Sequence, residues 1–259
     1  MKKGVRHILL GLLAASAIAV YIFGLLASAR NRHLTTCKGV RVEIADSAKL
    51  SFVNAEDVKG YLGSYGEYIG QRIDSVNLKK VEKILNERSA ILRADAFMTD
   101  DGYLNVTLTQ REPVVRFHSG GNGYYADESG FVFPLQKGFS SRVPIVDENV
   151  PMNIARGYKG EPSTDKEKQW LSSLLALLNY IESSKTWSNN FSQITVLQGG
   201  DLLLVPREGK EKFIFGNLSG IDSKFARMKE YYEVIAPSKE VGYYSSVDLR
   251  YEGQIVCRK

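Results

Sequence analysis

Ile91-Leu-Arg-Ala-Asp-Ala-Phe-Met-Thr-Asp-Asp-Gly-Tyr-Leu-Asn-Val-Thr-Leu-Thr109 reads as two strands folded back on one turn. Asp101-Gly102 is a strong hairpin signal, because glycine accepts the positive φ that tight turns demand. After it, Leu104, Val106 and Leu108 alternate with polar residues, the mark of a sheet buried on one face. Working backward, Asn77 caps a helix that buries Leu78, Val81, Ile84 and Leu85, with Val76 and Val81 at the hydrophobic-staple positions. Asn54 caps a shorter helix through Val58, Tyr61 and Leu62 that ends near Gly63. Val40 to Ile44 alternates as a further strand. The order is strand, helix, helix, strand, strand, which predicts a small α+β unit with both helices on one face of a three-stranded sheet.

Further toward the N-terminus, Ile8 to Ala29 is an uncharged run of 22 residues with Lys2, Lys3 and Arg6 before it and Arg30 and Arg32 after it. As a helix it would rise roughly 33 Å, enough to cross a hydrocarbon core of about 30 Å. Ala27-Ser28-Ala29 also fits a signal-peptide cleavage site, but the run is longer than the usual apolar segment of such peptides. An uncleaved anchor is expected, with residues 1–7 as a cytoplasmic stub and the rest exported.

Beyond the opening unit, Glu112-Pro113 marks a boundary, and the pattern becomes β-rich. Strands are expected at Val114–Phe117, Tyr124–Asp127 and Phe131–Leu135. Val143-Pro-Ile-Val146 is read as an edge-type segment, since Pro144 cannot donate to a ladder. Ser119-Gly-Gly-Asn-Gly123 lacks the Lys-Ser/Thr of a phosphate loop and is read as a hairpin tip. Thr164-x-x-Glu167 is a capping box opening a helix with Leu171, Leu174, Leu175, Leu178 and Ile181 on one face. Strands at 194–197, 202–205 and 212–215 precede a helix from about Ser219 to Ile235, stopped by Pro237. Val247 to Arg258 then alternates as a single closing strand, with Val247, Leu249, Tyr251, Ile255 and Cys257 on one face.

The chain carries 34 basic and 29 acidic residues, but seven of the basic ones and no acid fall in residues 1–41. The remainder holds 27 basic against 29 acidic side chains, so the basic surplus belongs to the membrane flanks and argues against nucleic-acid binding. The three histidines are scattered and no His, Cys or carboxylate group has metal-ligand spacing. No convergent catalytic set emerges either, so neither an enzyme nor a cofactor site is expected. Cys37 and Cys257 lie near opposite ends; a disulfide is open to them, though their positions favour free thiols.

Taken together, the unit at 38–110, the continuation Leu108-Thr-Gln-Arg-Glu-Pro-Val-Val-Arg-Phe117, Tyr125-Ala-Asp-Glu-Ser-Gly-Phe-Val-Phe133 and the closing Val247-Asp-Leu-Arg-Tyr251 resemble the bacterial cell-division family FtsQ/DivIB. The unit itself looks like a POTRA domain. The resemblance implies a transmembrane helix at 8–29 in the lipid bilayer, a POTRA domain at 38–110, and a C-terminal β-rich domain at 111–259 with a mainly antiparallel sheet and two helices. It also implies a non-enzymatic scaffold in the inner membrane, with a periplasmic C-terminal portion enriched at the division septum. Such a scaffold binds FtsB- and FtsL-type partners and helps control septal peptidoglycan synthesis. Strand addition would then use the last strand, through Asp248, Arg250, Tyr251, Gly253, Gln254, Ile255 and Val256. The competing classes are a POTRA-bearing envelope assembly factor and a membrane-anchored periplasmic hydrolase.

Overall fold

The period-2 and period-3.6 patterns sort the chain into sheets backed by helices. The computed structural model describes residues 13–24, 35–63, 68–119 and 121–259. The chain divides between Gln110 and Arg111 into two compact units. Residues 13–24 form an exposed helical stretch, α1. Among the described residues no helix is long and apolar enough to cross a membrane. The rest of the uncharged run, with both of its basic flanks, lies outside the described residues.

In the first unit, β1 (Gly39–Ile44) leads through α2 (Ala55–Gly63) and α3 (Leu78–Asn86) to the hairpin of β2 (Ile91–Met98) and β3 (Tyr103–Gln110). The strand order is β1-β3-β2, with β1 parallel and β2 antiparallel to β3. A parallel pair requires a crossover, and the two helices supply it. Asn54 and Asp57 cap α2 reciprocally: each backbone N–H donates to the other's side chain at 2.9 Å. Asn77 accepts from the Lys80 N–H at 3.0 Å to start α3. Val81, Ile84 and Leu85 on α3 and Leu104, Val106 and Leu108 on β3 are all buried. Gly102 turns the hairpin at φ +90°.

Strand β2 lies at one edge of this sheet, and α3 closes part of that edge. Asn86 accepts the Ala94 N–H at 2.8 Å, and Glu82 accepts the Ala96 N–H at 3.1 Å. Two donors that an incoming strand would use are thereby engaged.

The second unit is built on a nine-stranded sheet of order β12-β11-β10-β9-β8-β7-β4-β5-β6. Its strands are β4 (Pro113–Ser119), β5 (Asn122–Asp127), β6 (Val132–Pro134), β7 (Ile145–Glu148), β8 (Phe191–Val196), β9 (Leu202–Pro206), β10 (Lys212–Gly216), β11 (Ser246–Asp248) and β12 (Val256–Arg258). Two helices belong to it, α4 (Asp165–Ser183) and α5 (Ile221–Glu230). Leu171, Leu174, Leu177, Leu178 and Ile181 of α4 are buried in one core with Phe225 and Met228 of α5 and the apolar residues of the strands. Thr164 and Glu167 form the capping box that starts α4. Both cysteines are free thiols.

Three expectations need correction. β7 is central, lying parallel between β4 and β8, where an edge segment was expected. Pro144 falls just before the strand, so its missing N–H removes no ladder bond, while its carbonyl accepts the Arg116 N–H at 3.0 Å. The helix expected to run to Ile235 is α-helical only to Glu230 and continues as a π-helical turn, Tyr231–Ile235, and a 3-10 turn, Ala236–Ser238. In a regular helix neighbouring residues point about 100° apart. The wider turn lets adjacent Tyr231 and Tyr232 both reach Phe213, with ring centroids at 5.5 and 5.6 Å. The third correction, to the closing strand, follows below.

Leu85 is fully buried on α3. Its replacement by Ala should destabilise the first unit by about 2–5 kcal/mol. Calorimetry of the chain should show one unfolding transition moved down; an unmoved profile would mean that this helix face packs no core.

Candidate functional site

The C-terminal segment was expected to be one alternating strand from Val247 to Arg258. It is a hairpin instead: β11 runs parallel to β10, and β12 folds back antiparallel onto β11, with Val247 opposite Cys257 and Asp248 opposite Val256. β12 is the terminal strand of the sheet, and among the described residues no strand pairs with its outer side.

A buried ion pair sits at the bend. Asp248 is almost wholly buried, whereas a solvent-facing position was expected from alternation. A buried carboxylate needs a partner, and Arg250, two residues on, folds back to supply one. Its Nε and one terminal nitrogen bind the two Asp248 oxygens at 2.9 and 2.7 Å, and its backbone N–H donates to the same carboxylate at 3.1 Å. The other terminal nitrogen reaches Asp201 Oδ2 at 2.9 Å. The fork alone does not bend a strand, since Arg93 and Asp95 make the same pair within extended β2. The bond from the Arg250 backbone N–H to the Asp248 side chain is a turn contact, and β11 ends at Asp248.

Neighbouring elements hold the bend. The Leu249 N–H donates to the Ile214 carbonyl at 2.9 Å, and the Leu249 carbonyl accepts from the Arg227 guanidinium of α5 at 2.8 Å. Gly216, at φ +79°, lets the Arg250 stem pass: a Cβ there would lie 2.7 Å from Arg250 Cγ. Gly253, at φ +66°, makes the return, with the Gln254 N–H directed at the Tyr251 carbonyl at 3.4 Å. Ser245 ties the far end, its N–H donating to the Arg258 carbonyl at 2.8 Å.

The seven expected contact residues are therefore dispersed. Asp248 is buried in β11; Arg250, Tyr251, Gly253 and Gln254 are exposed in the connection; Ile255 precedes β12; Val256 begins it. Ile255 and Cys257 pack against the core, which leaves Tyr251, 48% exposed, as the large apolar group on the connection. Beside the hairpin, the exposed Tyr243 lies within 4.3 Å of the Lys259 ammonium and 5.4 Å of that of Lys239. A hydrogen bond to Lys259, then its charge, hold the Tyr243 phenol below its usual range. Asp201, Arg227 and Gly216 have no signature in the sequence, since each meets the hairpin from a distant strand or helix.

Burial alone would raise the Asp248 carboxyl, but the side-chain and backbone hydrogen bonds from Arg250 outweigh it and hold it below its ordinary value. Among the described residues no group of three or more His, Cys, Asp or Glu side chains is placed to hold a metal ion.

A mixed sheet backed by two helices, following a three-stranded unit of order strand, helix, helix, strand, strand, defines a two-unit α+β protein whose distinguishing surface is a strand edge. Family models identify both parts: a POTRA-like domain over residues 35–109, and a domain described as FtsQ/DivIB, C-terminal related, over residues 112–258. The chain belongs to the FtsQ/DivIB family, and that membership carries a role in cell division. Proteins of these two families are generally non-enzymatic scaffolds. Comparison with curated proteins found no match.

Replacing Arg250 with Ala leaves the Asp248 carboxylate buried and unpaired, at a cost of about 1–3 kcal/mol since Arg250 itself is partly solvated. Amide hydrogen exchange at Val256–Arg258 should accelerate accordingly, and unchanged protection would detach the bend from this ion pair. Because the folded carboxyl titrates below its unfolded value of about 4, this contribution is complete at neutral pH and disappears as pH falls through the folded pKa. Exchange at the same amides, followed on acidification, should show the hairpin loosening only below pH about 4.

Proposed function

We propose that this chain is a non-enzymatic division scaffold, anchored in the inner membrane through residues 8–29 with both compact units on the periplasmic side. FtsB- and FtsL-type partners bind it by strand addition, and the complex helps control septal peptidoglycan synthesis. The docking edge is β12 with its connection, in place of a continuous strand from Val247 to Val256.

One observation carries the reading: the sheet edges are treated differently. The edge of β2 has two N–H groups taken by Asn86 and Glu82. At β6, Val132 exchanges hydrogen bonds with Gly160, N–H to carbonyl at 2.8 Å one way and 2.9 Å the other. The outer sides of β12 and of β1 have no such partner strand among the described residues, and of the two β12 is the one within the FtsQ/DivIB-related domain. In strand addition the backbone supplies affinity, and side chains at alternate positions choose the partner. Tyr251 is the anchor candidate, being exposed, aromatic and beside that edge.

Proline substitution tests the edge. Successive N–H groups of a strand point to opposite sides, so of Val256→Pro and Cys257→Pro one removes a donor toward the partner and the other a donor toward β11. The outward one should weaken co-purification of the FtsB-type partner by about ten- to hundredfold while leaving the melting temperature of the chain unchanged. Retention of the partner by both variants, or a fluorescent fusion spread evenly around the envelope, would refute the reading.

A further inference from the structure

The outer side of β1 is the sheet edge still without an obstacle or an occupant. Just past its end, the Ala45 N–H donates to the Leu108 carbonyl of β3 at 3.0 Å. Backbone groups of successive residues turn to opposite sides of a strand, so Arg41 and Glu43 also bond to β3. The N–H groups of Val40, Val42 and Ile44 then turn outward, where they have no partner among the described residues. The edge is bounded at both ends. The Ile44 carbonyl accepts the Ser47 N–H at 3.3 Å; before the strand, Cys37 donates to the Gln71 carbonyl and accepts the Gly70 N–H, both at 2.7 Å. What stays open is residues 40–44.

Two features of this stretch point to an occupant. On one face Val40, Val42 and Ile44 are only half-buried, whereas Leu104, Val106 and Leu108 beside them in β3 are fully buried. The apolar row is finished toward β3 and unfinished along the edge. On the other face Arg41 and Glu43 are exposed. Arg41 reaches Asp101 at 3.0 Å, but both side chains are about half exposed, so the pair is weak. Glu43 has neither an ion pair nor a side-chain hydrogen bond among the described residues. Val-Arg-Val-Glu-Ile therefore reads apolar, positive, apolar, negative, apolar, and reversed it is its own complement.

We propose that a second copy of this chain pairs with β1, antiparallel and about a twofold axis at Val42, joining two three-stranded sheets into one of six. Residues whose backbone turns outward must meet in hydrogen-bonded pairs, which admits axes at residue 41, 42 or 43. An axis at Arg41 sets arginine against arginine, and one at Glu43 sets glutamate against glutamate. The axis at Val42 sets each Arg41 against the partner's Glu43 twice, in the non-hydrogen-bonded pairs where side chains approach closest. Val42 then faces itself and Val40 faces Ile44, which covers the half-buried row; the Ile44 carbonyl keeps a second lone pair for the ladder. Charge thus selects one register of three. The interface is independent of the division reading, since it shares no residue with the β12 edge.

Sedimentation equilibrium of the full chain in mild detergent tests it. So small an interface should give a monomer–dimer equilibrium with a Kd of about 0.1 mM. Glu43→Arg breaks no side-chain contact among the described residues and sets like charges opposed at both symmetric positions; it should raise the Kd at least about tenfold while the melting temperature stays unchanged. Arg41→Glu should weaken self-association to the same extent. Mixed, the two variant chains oppose arginines to glutamates at every position and should associate at least as tightly as the native chain. A monomer up to about 1 mM would leave the edge to a strand from another protein and overturn the proposal. So would a dimer indifferent to Glu43→Arg, which would place the contact elsewhere, or a mixture of the two variants that fails to associate.

Discussion

A strand at the edge of a sheet presents backbone donors and acceptors that must meet a partner, water or a deliberate obstacle, and this constraint organises the protein. The first unit uses side chains: Asn86 and Glu82 reach from α3 to the edge of β2. At β6 the chain itself returns, and Gly160 bridges Val132. The C-terminal end of the large sheet is finished by a three-residue strand whose own outer side faces no further strand among the described residues. An edge kept that short gives little template for indiscriminate pairing, yet suffices to set the register of a chosen partner.

That short strand follows a bend at which a buried carboxylate is paired with the arginine two residues on. Asp248 is almost wholly buried between Val247 and Leu249, both fully buried. Isolated, it would be costly; with the Arg250 fork and Asp201 beyond, it becomes the hinge pin of the hairpin. Arg227 from α5 and the Cβ-free surface of Gly216 then give the bend one position on the sheet. Packing of the second unit and geometry of the candidate docking edge are thus one problem. A change at Asp201, distant in sequence from the hairpin, would be felt at β12.

Much was legible in the sequence. The order of the first unit follows from alternation around Val106, periodicity around Val81, and two asparagine caps, all of them local signals. The capping box at Thr164 and the leucine face of α4 are of the same kind, and the family resemblance stood on such elements taken in order. Pro144 was different. Its missing N–H indicated an edge, but only the placement of β7 between β4 and β8 showed that the proline lies just outside the ladder. Tyr231 and Tyr232 kept helical spacing, yet the reach of both rings to Phe213 required a wider turn.

The closing segment marks the division most sharply. From sequence alone, Val247 to Arg258 alternates with a two-residue period broken only at Gly253 and Val256, and that period marks which side chains are apolar. It cannot determine whether the backbone stays extended, because a continuous strand and a hairpin bury overlapping apolar sets. Tertiary structure decided between them through contacts that no local pattern encodes: Asp201 on the far side of Arg250, Arg227 at the Leu249 carbonyl, and the space above Gly216. Local periodicity specifies what must be buried. Where the chain turns to bury it depends on partners brought close only by folding.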